Sequence, residues 1–357
     1  MVDDLLDHLA HDWPFTDGRL EGCDLAGASL RGGMVSRTAF RGATFAGACL
    51  SDITFHACDF TGCRFDDAVL DGCRFMACTA PESAWRGSRQ SSGTFMDCAM
   101  VGVGLTGSTF RSVTWMRCDL AGADFFGCAF EASALMECGL DGIALAGASL
   151  SNTAIITADL RRATLDGLTC DTVLFTGCDL TGRDLTSLTL ARANLTGAKL
   201  ERAKLAGVDL SGALLMDASL QGADLQGLRA PGALFVRADL RGADLGRANL
   251  GGAVFQEAVA AGARFDRAQA DLAVFDGADL RAATFREAHL HHARFRHAAL
   301  DRADFSGSRV LRTDFHRARA EGAVFQGQSG SRLETVPERA VAELYDPRTV
   351  APGDARR

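Results

Sequence analysis

From Leu20 to Phe325 every fifth residue is apolar, and the phase never slips. Of these 62 positions only Gln90 is polar; the rest are mainly Leu and Phe. The residue two places earlier is also restricted, being Ala, Cys, Ser, Thr or Gly in 52 of the 62 repeats. The segment ADLRG-ADLGR-ANLGG-AVFQE at 238–257 shows the unit at its most regular. A helix presents the same face every 3.6 residues and a strand every two, so neither can hold a period of five. A short tandem unit buries its apolar side chains only by stacking on its neighbours, which is the definition of a solenoid.

A length of 357 residues would ordinarily imply more than one domain. An unbroken repeat instead predicts one elongated body. Residues 18–327 form the repeat, 1–17 an N-terminal cap, and 328–357 a helical C-terminal cap and tail. No apolar run approaches the ~18 residues of a membrane span. The opening MVDDLLDHLAHDWPF lacks the basic-then-apolar order of a secretory signal, so the expected compartment is the cytoplasm, with non-classical secretion left open. The net charge of −8 conceals a gradient: residues 1–100 carry 14 acidic and 8 basic side chains, residues 201–300 twelve of each. Between Arg281 and Arg319 nine arginines and five histidines meet only four acids.

Twelve cysteines in such a chain could signal a disulfide scaffold, but their placement argues otherwise. Ten occupy the small position of the repeat (Cys23, Cys58, Cys63, Cys73, Cys78, Cys98, Cys118, Cys128, Cys138 and Cys178), where cysteine acts as a small hydrophobe. No CxxC occurs, and free thiols are expected in a reducing compartment.

A small residue, Asp or Asn, Leu or Phe and two variable residues, repeated in tandem over residues 18–327, resembles the pentapeptide-repeat family. The resemblance implies an all-β fold: a right-handed quadrilateral parallel β-helix of about 15 coils, with four pentapeptides per coil, short capping segments and a C-terminal helix. The Leu or Phe and the small residue would point inward and the other three outward. Residues 20 apart then stack, so Phe235, Phe255, Phe275, Phe295 and Phe315 form one ladder and Phe265, Phe285, Phe305 and Phe325 another. Both ends of a β-helix need covers. Leu5, Leu6, Leu9, Trp13 and Phe15 are expected to cover the first coil. Thr335-Val-Pro-Glu338 reads as the start of a short helix ended by Pro347, whose Val336, Val341, Leu344 and Tyr345 could cover the last coil or meet a dimer partner.

Three places depart from the pattern. Residues 80–93 contain Pro81 and Gln90, and residues 229–232 contain Pro231; either could be a bulge, a bend or a small loop. Cys78, Cys98, Cys118 and Cys138 keep their 20-residue spacing across 80–93, which predicts replacement in register and not insertion. Arg183 stands at a small inward position. An unpaired Arg is not tolerated in an apolar core, so a locally displaced face is expected there.

A period of 20 sorts the outward residues onto four walls, centred on residues 20, 25, 30 and 35 and their successors at 20-residue intervals. The fourth wall is unusually apolar. Just after its centres come Met76, Met96, Met116, Met136 and Ile156, and later Met216 and Val236; just before them come Leu174, Leu214, Leu234, Val254 and Val274. Six of the eight methionines, Met34 included, lie outward on this wall. Such a stripe points to a protein partner or a homodimer, and methionine suits an adaptable contact. Methionines folded back as mere cladding are the alternative. His289, His291, His292 and His297 are placed outward, with His316 one coil on. They alternate with Arg and lack carboxylate partners, so they read as a solvated face.

No nucleophile elbow, P-loop, HExxH or dinucleotide fingerprint is present, and the abundant Asp (Asp119, Asp179, Asp239, Asp244) fills the second position of the repeat on flat walls. No catalytic, metal or cofactor site is expected. The function read from the sequence is a non-enzymatic interaction scaffold, a rigid rod docking partners on its apolar wall. Bacterial proteins with repeat regions this long include accessory and effector proteins of secretion systems, type VI among them. The alternative the resemblance offers is a DNA mimic that binds gyrase or topoisomerase IV and protects against quinolone-type poisons. A mimic needs a dense acidic stripe. Here 35 Arg dilute the acids, and Asp52, Asp59, Asp66, Asp67 and Asp71 wrap three walls. Direct nucleic-acid binding is not expected.

Overall fold

The computed structural model describes residues 2–333 and 337. Coil stacks on coil by parallel pairing at a 20-residue register, from Phe15↔Val35 at one end to Arg309↔Ser329 at the other. The result is a four-sided β-solenoid of about 16 turns. The ladder already begins at Phe15–Thr16 and runs on through Ser329–Leu333, which is why there are slightly more coils than the repeat count gives.

Each unit turns one corner of the square. The residue two after the centre takes a left-handed backbone at nearly every corner, with φ from 47° at Asn152 to 63° at Leu272 where it is not Gly. Glycine removes the steric cost of that conformation, and 30 of the 39 glycines stand at this position. The Asp of the repeat reaches forward to the same corner: Asp119, Asp179, Asp239 and Asp244 each accept the N–H two residues on at 2.9–3.2 Å. This is a local Asx turn, and it gives that Asp a structural task.

The corners are of two kinds. After the first and second walls the backbone closes the turn itself, as in Ala43 N–H to Phe40 O (2.7 Å) and Ala48 N–H to Phe45 O (2.9 Å). After the third and fourth walls, as far as Asp171, that bond is absent and three-residue strands form instead. They assemble one eight-stranded sheet from Phe15–Thr16 to Ala154–Ile156 and another from Ser29–Arg31 to Thr169–Asp171. Most of these wide corners are filled by larger or polar inward residues, with Gly93 and Ala158 as exceptions. Ile53, Cys73, Val113, Ser133 and Thr153 line one corner and Cys58, Cys78, Cys98, Cys118 and Cys138 the next, and all are buried. Ser133 donates to Glu131 O at 3.0 Å and accepts the Val113 N–H at 3.1 Å, replacing part of the missing turn bond. From Phe175 to Phe305 every centre is followed by a turn bond of the tight kind, and from Ala233 on the small position is almost uniformly Ala.

The change of regime coincides with a fault. No bridge joins Gly139 to Asp159, Thr164 to Asp184 or Thr169 to Thr189, although each of these walls is bridged before and after its gap. Arg183 fills the second gap: its guanidinium donates to Ala163 O at 2.6 Å and to Arg161 O at 3.1 Å, taking the carbonyl that the Asp184 N–H would otherwise reach. The displaced face expected from the sequence is present, and at the Thr164–Asp184 gap a charged side chain satisfied by backbone carbonyls occupies it.

The other two departures are regular. Arg89–Ser91 pairs in register with Val69–Asp71 and Thr109–Arg111, and Arg229 bridges Asp209 and Asn249. Neither segment is a loop or a bulge. Gln90 is buried because it has partners: it donates to Ser88 Oγ (3.3 Å), Ser88 meets Ser108 (3.1 Å), and Ser108 donates to Trp85 O (2.6 Å). Ser88 and Ser108 thus form a small buried network with Gln90.

At the N-terminus the helix Val2–Ala10 lays Leu5 and Leu9 on the first coil, with Phe15 buried beside them. Leu6 and Trp13 do not cover the core; they are 38% and 53% exposed, Leu6 adjoining the buried Leu5 in the helix and Trp13 stacking on His11 (4.8 Å). At the far end Arg309–Asp314 widens into a six-residue strand paired with Ser329–Leu333 across a register shift, and Arg332 lies over the Phe325 ring at 4.6 Å. Gly330 is required in that strand, because a Cβ there would overlap the Val310 carbonyl. The same widening buries His316, which the repeat had placed outward. The helix expected from Thr335 onward, with Val336, Val341, Leu344 and Tyr345, lies outside the described residues.

A candidate docking wall

On the fourth wall the residues flanking each inward centre form two parallel lanes. The lane after the centres runs Met76, Met96, Met116, Met136, Ile156 in register. Beside it the other lane holds Thr94, Thr114, Ala134 and Ala154. Farther along, the bulk changes lanes. Leu174, Leu214, Leu234, Val254 and Val274 occupy the lane before the centres, broken once by Asn194. The other lane then holds Thr176, Thr196, Met216, Val236 and Gln256. All ten residues expected on the stripe therefore do lie on one wall, facing outward. Met76, at its N-terminal end, is 36% exposed, while the other nine are half-buried because each leans on its neighbours one coil above and below. The stripe is a flat strip, without a pocket.

Its rim beyond the methionine lane is charged. Arg117 pairs with Asp97 at 2.8 Å and Arg237 with Asp217 at 2.7 Å. The hydrogen-bonded guanidinium holds each Asp below the usual carboxylate range. Glu137 and Glu257 complete this rim one coil beyond the two arginines. The sequence reading passed over these six charges. Their signal was the same 20-residue spacing that revealed the methionines.

The remaining walls show no acidic stripe. Asp239, Asp279, Asp301 and Asp304 pair with Arg241, Arg281, Arg319 and Arg286 at 2.5–2.6 Å. Arg161 holds Asp159 down to about 2 through its hydrogen bonds. Exposed pairs of this kind stabilise by roughly 0–1 kcal/mol each, and their larger effect is to cancel charge locally.

All twelve cysteines are free. Cys78, Cys98 and Cys118 each donate to two carbonyls at 3.3–3.5 Å. Burial pushes the Cys63 thiol up to about 12 and that of Cys73 to about 11, so both are protonated and poorly nucleophilic. The rings of His289 and His291 lie 6.4 Å apart. Among the described residues no three His, Cys, Asp or Glu side chains converge as metal ligands, and no helix is long and apolar enough to cross a membrane.

Fold and walls together define a β-solenoid repeat protein. The sequence profile described as pentapeptide repeats matches residues 193–227, 233–269, 273–310 and 291–327, and a second pentapeptide-repeat profile matches 40–79. The chain belongs to the pentapeptide-repeat family. No curated protein sequence matches it. Among solved structures it is similar to HetL, a pentapeptide-repeat protein involved in heterocyst differentiation regulation in the cyanobacterium Nostoc sp. strain PCC 7120. That match is 24% identical and covers 69% of this chain and 88% of HetL, with a TM-score of 0.32. Full-length QnrB1, a plasmid-mediated fluoroquinolone resistance protein, matches at 17% identity over 61% of this chain and 91% of its own, with a TM-score of 0.22. The A-module of the mannuronan C-5 epimerase AlgE4 from Azotobacter vinelandii matches at 10% identity over 93% and 94%, with a TM-score of 0.24.

Proposed function

We propose that this protein is a non-enzymatic docking rod that engages a protein partner through the fourth wall. The observation that carries this reading is the strip itself: outward, apolar residues in register from Met76 to Val274. Flat apolar surface of that extent on one side of a molecule marks an interaction site. Methionine in the N-terminal part supplies side chains that adapt to a partner's shape. Twelve free thiols suit a reducing compartment such as the cytoplasm. The pairing of wall acids with arginine weighs against DNA mimicry, which needs phosphate-like charge left uncancelled.

The test compares proteins retained by the immobilised rod from an extract of cells that express it. Met96→Glu/Met136→Glu should keep the fold and lose retained protein. Thr106→Glu/Ala146→Glu, on the opposite wall, should retain what the wild type retains. Equal retention by all three would reduce the strip to cladding.

A further inference from the structure

We infer that the occupant of the fourth wall is a second copy of this chain, bound antiparallel. The inference rests on the docking reading above and goes on to name the partner. An isologous interface must be complementary to itself under a two-fold rotation, and the exchange of bulk between lanes provides that. Place the two-fold axis across the rod, in the plane of contact, at the level midway between Phe175 and Leu195. Each lane then faces the same lane of the other copy in reverse order.

In the lane before the centres, every small residue of one half now meets a branched residue of the other. Thr94 faces Val274 and Thr114 faces Val254 of the second copy. Ala134 faces Leu234, and Ala154 faces Leu214. In the lane after the centres, Met116 faces Gln256, Met136 faces Val236 and Ile156 faces Met216, where methionine's flexibility accommodates the contact. Met96 comes opposite Asp276, and beside the axis Leu174 comes opposite Asn194. Knobs meet hollows in the lane before the centres.

The rim selects the same register independently. Arg117 comes opposite Glu257 of the second copy, and Glu137 opposite Arg237. Moving the axis to the level of Phe175 sets Arg117 against Arg237 and Glu137 against Asp217. Moving it to the level of Leu195 sets Glu137 against Glu257. A parallel pair crosses the lanes and forces Leu214 onto Met216 and Leu234 onto Val236. Like charges directly opposed across an interface penalise the wrong register. From Thr94 to Val274 the strip runs nine coil spacings, about 43 Å, and with its rims it is about 15 Å wide. That is roughly 650 Å² per copy, near the ~800 Å² per partner of a standard stable interface.

The full chain should sediment as a dimer at tens of micromolar protein. Glu137→Arg and Arg237→Glu should each weaken dimerisation at least tenfold without changing the thermal melt. The double variant Glu137→Arg/Arg237→Glu should restore it, because the swapped charges again meet as opposites. A wild-type chain that stays monomeric at 100 µM overturns the inference, and so do single variants whose losses simply add in the double variant. A monomer whose extract retention still depends on Met96 and Met136 would remove the second copy as occupant and leave the docking reading standing. A monomer without that dependence would remove both.

Discussion

Up to Asp171 the solenoid turns two of its four corners without a backbone bond; from Phe175 to Phe305 every corner has one. Both halves share the period, the register and the direction of every side chain. They differ in what the corner asks of its inward residue. A corner such as Ala253 N–H to Leu250 O (2.9 Å) closes itself over a single methyl, although closed corners elsewhere bury Val103, Ile143, Val208 and Leu228. Most wide corners are filled, as by Ile53, Cys73, Val113 and Thr153, or bonded, as by Ser133, while Gly93 and Ala158 leave theirs to the neighbouring coils. The second half is therefore built from uniform Ala layers and long Phe stacks, the first from varied layers that admit even Gln90. Where the regimes meet, the ladder opens between Thr169 and Thr189.

The largest test of this contrast is Phe275→Asp. Phe275 stacks between Phe255 and Phe295 at 4.8 Å on each side, in layers with no polar group to receive a charge. The variant should lose several kcal/mol and unfold neighbouring coils together. A melting temperature within a few degrees of wild type would show the second half to be far more plastic than its packing implies.

A smaller effect separates the two kinds of corner at one edge of the rod. Ala253→Val should cost about 1–3 kcal/mol by overpacking a closed turn, whereas Cys73→Val, at the same corner in the first half, should cost less than about 1.5 kcal/mol. Equal shifts in denaturation midpoint would mean that the missing turn bond does not govern the space available. The smallest effect lies at the fault. Arg183→Ala frees the Ala163 carbonyl for the Asp184 N–H and removes a buried guanidinium nitrogen that lacks a partner. Hydrogen exchange at Asp184 and Thr189 should slow as the ladder closes. Unchanged exchange there would place the cause of the fault in the change of corner type and not in Arg183.

Much of the candidate site was legible in advance. Met96, Met116 and Met136 were placed on one wall by counting in twenties, and the structure pairs them in that register. Arg183 was readable as a displacement because no apolar core holds a bare charge. Residues 80–93 and 229–232, left open as bulge, bend or loop, keep the regular coil for a physical reason. Stacking on both neighbours supplies these residues with partners and a fixed register, which overrides their local preference. The exposure of Trp13 and burial of His316 escaped because both lie where the solenoid ends, and there the repeat no longer dictates which way a side chain faces.

The sequence by itself determined the solenoid and which residues face inward, because a period of five allows only one set of side chains to do so; its four walls and 20-residue register were what the resemblance to the pentapeptide-repeat family implied. Which corners are wide was decided by the tertiary structure alone, since both kinds satisfy the same period and differ only in whether one backbone bond closes. The tertiary structure likewise brought Arg117, Glu137, Arg237 and Glu257 onto the rim of one strip. Residues up to 140 positions apart become parts of one surface only when coils stack.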